Sequence, residues 1–417
     1  MYKKLQKFFA FLGPGLITGA SDDDPSGIAT YSQTGSMFGY STLWRALFLI
    51  PFVFAIQYMC AKIGLVTHKG LSANIKENYP KILYFSVFIL FIANTVNIGA
   101  DLGAMAAALN LLVDIKPLLA IAGITLITIG LEIFIPYKKY ARILKWLTFS
   151  LIAYFITALL VKQDWSLILH DTFHPQLDLT KAGMMNLVAV LGTTISPYLF
   201  FWQTSEVVEE VNHEQQINHS KFRINNRKIK IVQLDTLVGM IFANLIMYAI
   251  ILTTSATLGR AGITTIETAD QAAIALRPLA GNFSYLIFSI GIIGTGLLAI
   301  PILAGASAYA ISEMYNWKHS LNLHFHQAPK FYLVIIASVV CGALLTLLPI
   351  KPFQLLYYTA ILNGITAPPL MIVIMLLSNK RKLMGKQKNG FILNIVGGAA
   401  TLVMAIAGVV MLVLQIK

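Results

Sequence analysis

Ser21-Asp22-Asp23-Asp24-Pro25-Ser26-Gly27 and Gly192-Thr193-Thr194-Ile195-Ser196-Pro197-Tyr198 are the stretches that decide how this chain folds. Each is a short polar segment holding a proline, set inside an apolar run long enough to cross a bilayer. In lipid every unpaired backbone N–H or C=O is costly, so a break in a spanning helix persists only where protein buries it or a cavity receives it. Two such breaks at matching places in two halves of a chain point to the substrate site of a secondary transporter.

The surrounding sequence carries the same message. Of 417 residues, 57% are hydrophobic and 12% charged, the balance of an integral membrane protein. Windows of about 20 residues predict eleven spans, at 8–40, 43–66, 82–112, 117–136, 143–162, 182–211, 231–257, 283–311, 331–349, 353–378 and 391–415. The first and sixth are too long for one straight crossing and read as half-helices on either side of a break. The start, Met1–Leu16, is basic then apolar like a signal peptide. It runs into the polar break with no small-residue cleavage site, so it reads as part of the first span. The loop segment Thr268–Pro278 reads as a short helix lying at the surface.

The whole chain, 1–417, is expected to form one all-α transmembrane domain: a first repeat over 1–162, a second over 182–378, and an added helix at 391–415. Five spans per repeat send the second copy into the membrane from the opposite side. The repeats are then inverted about an in-plane axis, and the two breaks face each other.

Lys and Arg fix the orientation. With the N-terminus inside and the C-terminus outside, 23 of the 31 basic residues fall on the cytoplasmic side of the cytoplasmic membrane. The net charge of +13 is spread over short inner loops, which suits anionic lipid headgroups and not nucleic acid. Cys60 and Cys341 lie in apolar runs and read as buried packing residues, with no disulfide framework. No nucleophile–base pair or metal-hydrolase spacing falls within the spans, so the chain is not expected to be an enzyme or to hold a cofactor.

A carboxylate at membrane depth is a functional-site candidate by default. Asp24, beside Pro25, is the first candidate to hold a cation. Asp22 and Asp23 either reach the same path or face water and cap the half-helix that follows. Ser26 and Gly27 in the first break, with Thr194, Ile195 and Ser196 in the second, add hydroxyl and carbonyl oxygens, the donors that hard divalent cations prefer. Neither break holds Met, Cys or His. Tyr198, Gln203, Glu206, Glu209, Glu210 and Asp235 follow along the path. The three glutamates share one helix face and either form an inner vestibule or pair with the basic segment Lys221–Lys230. Asp101, in the third span, is a proton-relay candidate or a structural carboxylate.

Taken together, Gly13-Pro14-Gly15, Asp24-Pro25-Ser26-Gly27, Ala108-Leu109-Asn110-Leu111-Leu112 and Gly192–Tyr198 resemble the natural-resistance-associated macrophage protein (Nramp) family of divalent-metal transporters, over spans one to ten. The resemblance implies a LeuT-like fold in which a bundle carrying spans one and six rocks against a scaffold of spans three, four, eight and nine. It also implies a cargo of manganese or iron moved by symport with protons. The family's first-span motif is Asp-Pro-Gly-Asn, and here Ser26 and Gly27 replace its Gly and Asn. Its sixth-span motif is Met-Pro-His, and here the residues are Ser196, Pro197 and Tyr198. Without the thioether a preference for transition metals over magnesium and calcium is lost, and a magnesium-carrying branch of the family lacks that Met too. Asp101 matches the family's acidic position, but the acid one turn earlier is Ile98 or Asn97. The ninth span has no Arg, and all eight His lie outside the spans. Proton coupling therefore lacks most of its usual parts.

The expectation is a secondary transporter that imports a divalent metal cation, magnesium or manganese before iron, by alternating access. The alternative is an Nramp-like carrier of a non-metal solute or inorganic anion coupled to protons or Na⁺. Freed helix N-termini can hold an anion, and the missing Asn, Met and His would suit a changed cargo.

Overall fold

Proline opens six of the helices, as expected for a residue whose missing N–H is no loss in a first turn. A computed structural model describes residues 19, 22–135, 148–218 and 226–416, and the description is confined to these. The long helices are α1 (Pro25–Phe38), α2 (Ile50–Thr67), α3 (Pro80–Asn110), α4 (Pro117–Phe134), α5 (Ile152–Leu160) and α6 (Lys181–Thr194). They continue as α7 (Pro197–Asn218), α8 (Asn226–Thr254), α9 (Ser284–Tyr315), α10 (Pro329–Leu345), α11 (Pro352–Asn379) and α12 (Phe391–Ile416). No strand occurs among the described residues.

Among the described residues eight helical stretches are long and apolar enough to cross a membrane, and α10 is an apolar helix of 17 residues. The expected spans from 43–66 to 117–136 and from 182–211 to 391–415 each correspond to one of these helical stretches. The first half of the span expected at 8–40 and the start of that at 143–162 lie outside the described residues. The loop expected as a surface helix is one: Ala269–Ile274 opens with a reciprocal capping box between Thr268 and Gln271, and Arg277–Ala280 follows.

Helix α3 is the spine of one half of the molecule, packed against α4, α9, α10 and α11. Helix α1 lies against α6, α8 and α11, while α7 lies against α2 and α9. One continuous apolar core joins these groups. Large apolar side chains such as Leu126 and Phe134 on α4, and Phe391 and Leu402 on α12, point outward, where lipid is the solvent. Cys60 is buried as expected, but Cys341 is exposed on α10: the apolar run that suggested packing faces outward there.

Glycine sets the approach of α6 to α11. A Cβ on Gly192 would sit 2.0 Å from the Ala360 carbonyl oxygen and 2.3 Å from the Gly364 nitrogen. Neither backbone atom can move aside, so only glycine lets the end of α6 reach α11 and be buried there.

Candidate cation site at two helix breaks

The first break ends at Asp24. Its backbone is extended (φ −67°, ψ 173°), and its carboxylate caps α1 by accepting from Gly27 N at 2.8 Å and Ser26 Oγ at 2.6 Å, both to Oδ1. Pro25 follows at the first helical position, where its fixed φ suits the turn. The cap therefore belongs to Asp24 and not to Asp22 or Asp23. All three aspartates are about 1% exposed, so the expected alternative that Asp22 and Asp23 face water is not what the structure holds.

The second break separates α6 from α7. Ile195 leaves helical geometry (φ −117°, ψ 65°) and Pro197 starts the next helix. A helix end lacks donors for its last carbonyls. The single O–H of Ser196 is shared between Gly192 O at 2.7 Å and Thr193 O at 2.9 Å. The carbonyls of Thr194 and Ile195 are left as acceptors that α6 itself does not serve.

The breaks meet. Ser26 Oγ lies 3.3 Å from Thr193 Oγ1, and the Tyr198 hydroxyl points at Asp24 Oδ2 from 3.5 Å. Tyr31, one turn past Gly27 on α1, brings its hydroxyl to 3.2 Å from Thr194 Oγ1, which itself donates back to Val190 O. Tyr31 and Thr193 are not among the donors expected from the sequence. The four-residue spacing from Gly27 to Tyr31 was the available signal for the first; nothing in the sequence distinguished Thr193 from Thr194. Helix α8 brings the Met247 thioether to 3.9 Å from Thr194 Oγ1, so a soft atom approaches the second break from outside it.

Asp101 is fully buried on α3, within electrostatic reach of both Asp24 and Tyr198. The side-chain oxygens of Asp22, Asp23 and Asp101 have no hydrogen-bond partner, and neither these three nor Asp24 forms an ion pair with a described residue. Four buried acids thus share one region without a compensating cation among the described residues. Among the described residues no three acidic, imidazole or thiol groups converge into a protein-only metal cage. Any cation held here would lean on one carboxylate with hydroxyl and carbonyl oxygens.

Further along, Gln203 and Glu206 are buried on α7, Asp235 is buried on α8, and Glu209 and Glu210 are half-buried. Glu209 accepts from Tyr309 at 2.9 Å, Ser320 at 2.8 Å and Asn322 at 2.5 Å, tying α7 to α9 and the loop after it. A cavity of about 470 Å³ opens beside it, lined by Glu209, His213, Tyr309, Glu313 and His319 among others. Among the buried amides, Asn363 accepts from Asn97 at 3.1 Å and Asn244 donates to Met240 O. That is the usual helix-to-helix and local use of an amide in membranes.

A capped helix start at Asp24–Pro25 that touches the break between α6 and α7, in a bundle of apolar helices, is the arrangement of a multi-pass membrane transporter of LeuT-like architecture. The fold is shared with the manganese transporter of Eremococcus coleocola in complex with an aromatic bis-isothiourea substituted compound: TM-score 0.75 and 16% identity, over 98% of this chain and 87% of that one. A nucleobase-cation-symport-1 family transporter in a closed conformation superposes with a TM-score of 0.56 at 13% identity, over 97% and 90%. In sequence, the divalent metal cation transporter MntH of Caldanaerobacter subterraneus subsp. tengcongensis is 24% identical over 392 residues, 91% of this chain and 87% of its own. The family described as natural resistance-associated macrophage protein-like matches residues 15–414, and the chain belongs to that family.

Proposed function

We propose that this chain imports a divalent metal cation, with Mg²⁺ or Mn²⁺ favoured, across the cytoplasmic membrane by alternating access. Asp24 is the anchoring charge, and Ser26, Gly27, Thr194, Ile195 and Ser196 complete an oxygen shell that leaves room for bound water. The observation that carries the reading is the contact of the two breaks around buried, unneutralised carboxylate charge. A buried anion without a partner is costly, and a doubly charged guest offsets that cost. Relatives bearing the name divalent metal cation transporter support the class of cargo. The choice of hard ions rests on the donor set, in which both breaks present oxygen only.

The chain lies as one transporter domain over 1–417, with repeats at 1–162 and 182–378, an added helix at 391–415, the N-terminus inside and the C-terminus outside. Asp22, Asp23 and Tyr198 line the approach, and Gln203, Glu206, Glu209, Glu210 and Asp235 line the inner exit. Hydrogen bonds tie the elements together toward each side. Outside, Gln33 donates to Thr264 O at 2.7 Å, and Asn186 links Thr34 (2.9 Å) to the buried Arg45 (2.6 Å). Inside, the Glu209 contacts hold α7 to α9. Opening one set while keeping the other is what alternating access requires. Asp101 is the relay residue for any coupled proton, a weak coupling given the missing Arg and His.

The test is uptake into liposomes by the purified protein, read with internal dyes for Mg²⁺, Mn²⁺ and Ca²⁺, with Asp24→Ala as control. Uptake of Mg²⁺ and Mn²⁺ that the variant loses is the expected result. Absence of uptake for every divalent ion transfers the assignment to a non-metal solute or an anion coupled to protons or Na⁺. An internal pH dye run in parallel is expected to report little metal-driven acidification.

A further inference from the structure

One buried carboxylate stands apart from the cation pocket. Glu132 lies two residues before the end of α4 and is 4% exposed, and neither of its carboxylate oxygens has a hydrogen-bond partner among the described residues. It belongs to the buried stripe of that helix, Ala120, Ile124, Thr128 and Glu132, spaced four apart and so on one face. That face turns inward onto α3, α9 and α10, while Leu126, Ile127 and Phe134 face outward. An acid on the inward stripe of a membrane helix, with nothing to pair with, is a functional residue until shown otherwise.

The surroundings of Glu132 narrow the role. The titratable groups on the helices packed against α4 are Lys81, Tyr84 and Asp101 on α3, Tyr285, Tyr309, Glu313 and Tyr315 on α9, and Lys330, Tyr332 and Cys341 on α10. Of these, Tyr332, in the first turn of α10, feels the charge of Glu132 and also that of Glu209. The Tyr332 hydroxyl donates to Leu323 O at 2.6 Å, and Leu323 lines the cavity beside Glu209. Tyr332 thus sits on a helix packed against α4 and is bonded to a residue of the inner cavity wall. Toward the middle of the membrane α4 offers no polar continuation. The hydroxyls of Thr128 and Thr125 are turned back to Ile124 O and Ile121 O. Among the described residues Glu132 forms no ion pair, and no group of three His, Cys, Asp or Glu side chains is placed to hold a metal.

We propose that Glu132 is a proton-binding site, separate from the cation pocket, that fills and empties through the inner cavity past Tyr332. The proton enters and leaves on one side, so it is not carried across the membrane. It sets how turnover depends on inner pH by changing the charge buried between α4, α3 and α10, the helices against which the bundle moves. This differs in kind from coupled symport, and it goes beyond the assignment of cargo.

Two measurements test it. In nanodiscs without any transported ion, pH-difference infrared spectra are expected to contain a protonated-carboxyl carbonyl band that Glu132→Gln removes and Asp24→Asn leaves in place. In liposomes at fixed outer pH, uptake by the wild type is expected to change several-fold as inner pH is varied. Uptake by Glu132→Gln should be flat, and Tyr332→Phe should slow the infrared response to a pH jump. Infrared spectra of Glu132→Gln that superimpose on the wild type at every pH overturn the proposal, as does an uptake profile that keeps its full dependence on inner pH. If Glu132→Gln does not fold, a Tyr332→Phe response as fast as the wild type overturns it instead. The infrared arm uses no metal, so failure of the cargo assignment would leave it intact and readable.

Discussion

Replacing Asp24 by Asn separates the two jobs of that side chain. As a cap, Asp24 accepts from Gly27 N at 2.8 Å and Ser26 Oγ at 2.6 Å. Asn caps helices as well as Asp does, so the variant should fold with a stability change below about 1 kcal/mol. As a charge, the carboxylate has no substitute in the amide. Two unit charges 4 Å apart attract by about 4 kcal/mol at an effective dielectric of about 20, and a dication doubles this to about 8 kcal/mol. Dehydration of the ion and the carboxylate offsets part of that, and removing one partner of a buried pair costs about 3–5 kcal/mol in practice. At about 1.4 kcal/mol per decade, Mn²⁺ binding should weaken by about two to three orders of magnitude. Asp24→Ala should lose the same affinity and, in addition, about 1 kcal/mol of stability from the missing cap. Titration calorimetry with Mn²⁺, paired with thermal melts of the same samples, reads both quantities. An Asn variant that binds Mn²⁺ as the wild type does would refute the reasoning and move the anchoring charge to Asp22, Asp23 or Asp101.

Other substitutions test the surrounding geometry. Ser26→Ala and Thr193→Val each remove one hydroxyl of the 3.3 Å contact between the breaks; a double-mutant cycle on Mn²⁺ affinity should give a coupling of about 1 kcal/mol, and strict additivity would mean the contact does not matter to binding. Gly192→Ala places a Cβ 2.0 Å from the Ala360 carbonyl, so it should cost about 1–3 kcal/mol or more, seen as a lowered melting temperature or lost expression. Glu209→Ala removes the acceptor shared by Tyr309, Ser320 and Asn322; a reporter cysteine at Val208, on the cavity wall, should then react faster with a water-soluble thiol reagent, and an unchanged rate would deny that these bonds hold the inner side closed. Tyr198→Phe deletes the 3.5 Å contact of its hydroxyl with Asp24, and Mn²⁺ affinity should fall less than about tenfold, the effect of one weak hydrogen bond.

The architecture was legible because the bilayer writes strong signals. Helix positions from α2 through α4 and from α6 to α12 follow from apolar length alone, and both breaks follow from a proline beside oxygen-bearing residues. Asp24 was legible for a local reason: an acid directly before proline is both a cap and a helix start. What the sequence withheld is which side chains meet across the two breaks. Thr193 and Thr194 are adjacent and chemically identical, yet one touches Ser26 and the other Tyr31. That choice depends on the rotation of α6 about its axis, fixed by Gly192 against α11, and pattern alone does not encode it. Cys341 failed for the same reason, since periodicity in an apolar span cannot tell the lipid side from the protein side when both are apolar. Glu132 was visible as the one acid in its span, and only its burial without a partner gave it weight.

The central claim is that a divalent cation sits between the capping carboxylate of Asp24 and the opened end of α6. Anomalous diffraction from crystals grown with Mn²⁺ measures this directly. The account predicts one strong peak in contact with Asp24 and with oxygens of the Thr194–Ser196 break, absent in Asp24→Asn. A strong peak only in the Glu209 cavity, or a pocket peak that persists in the Asn variant, would contradict it.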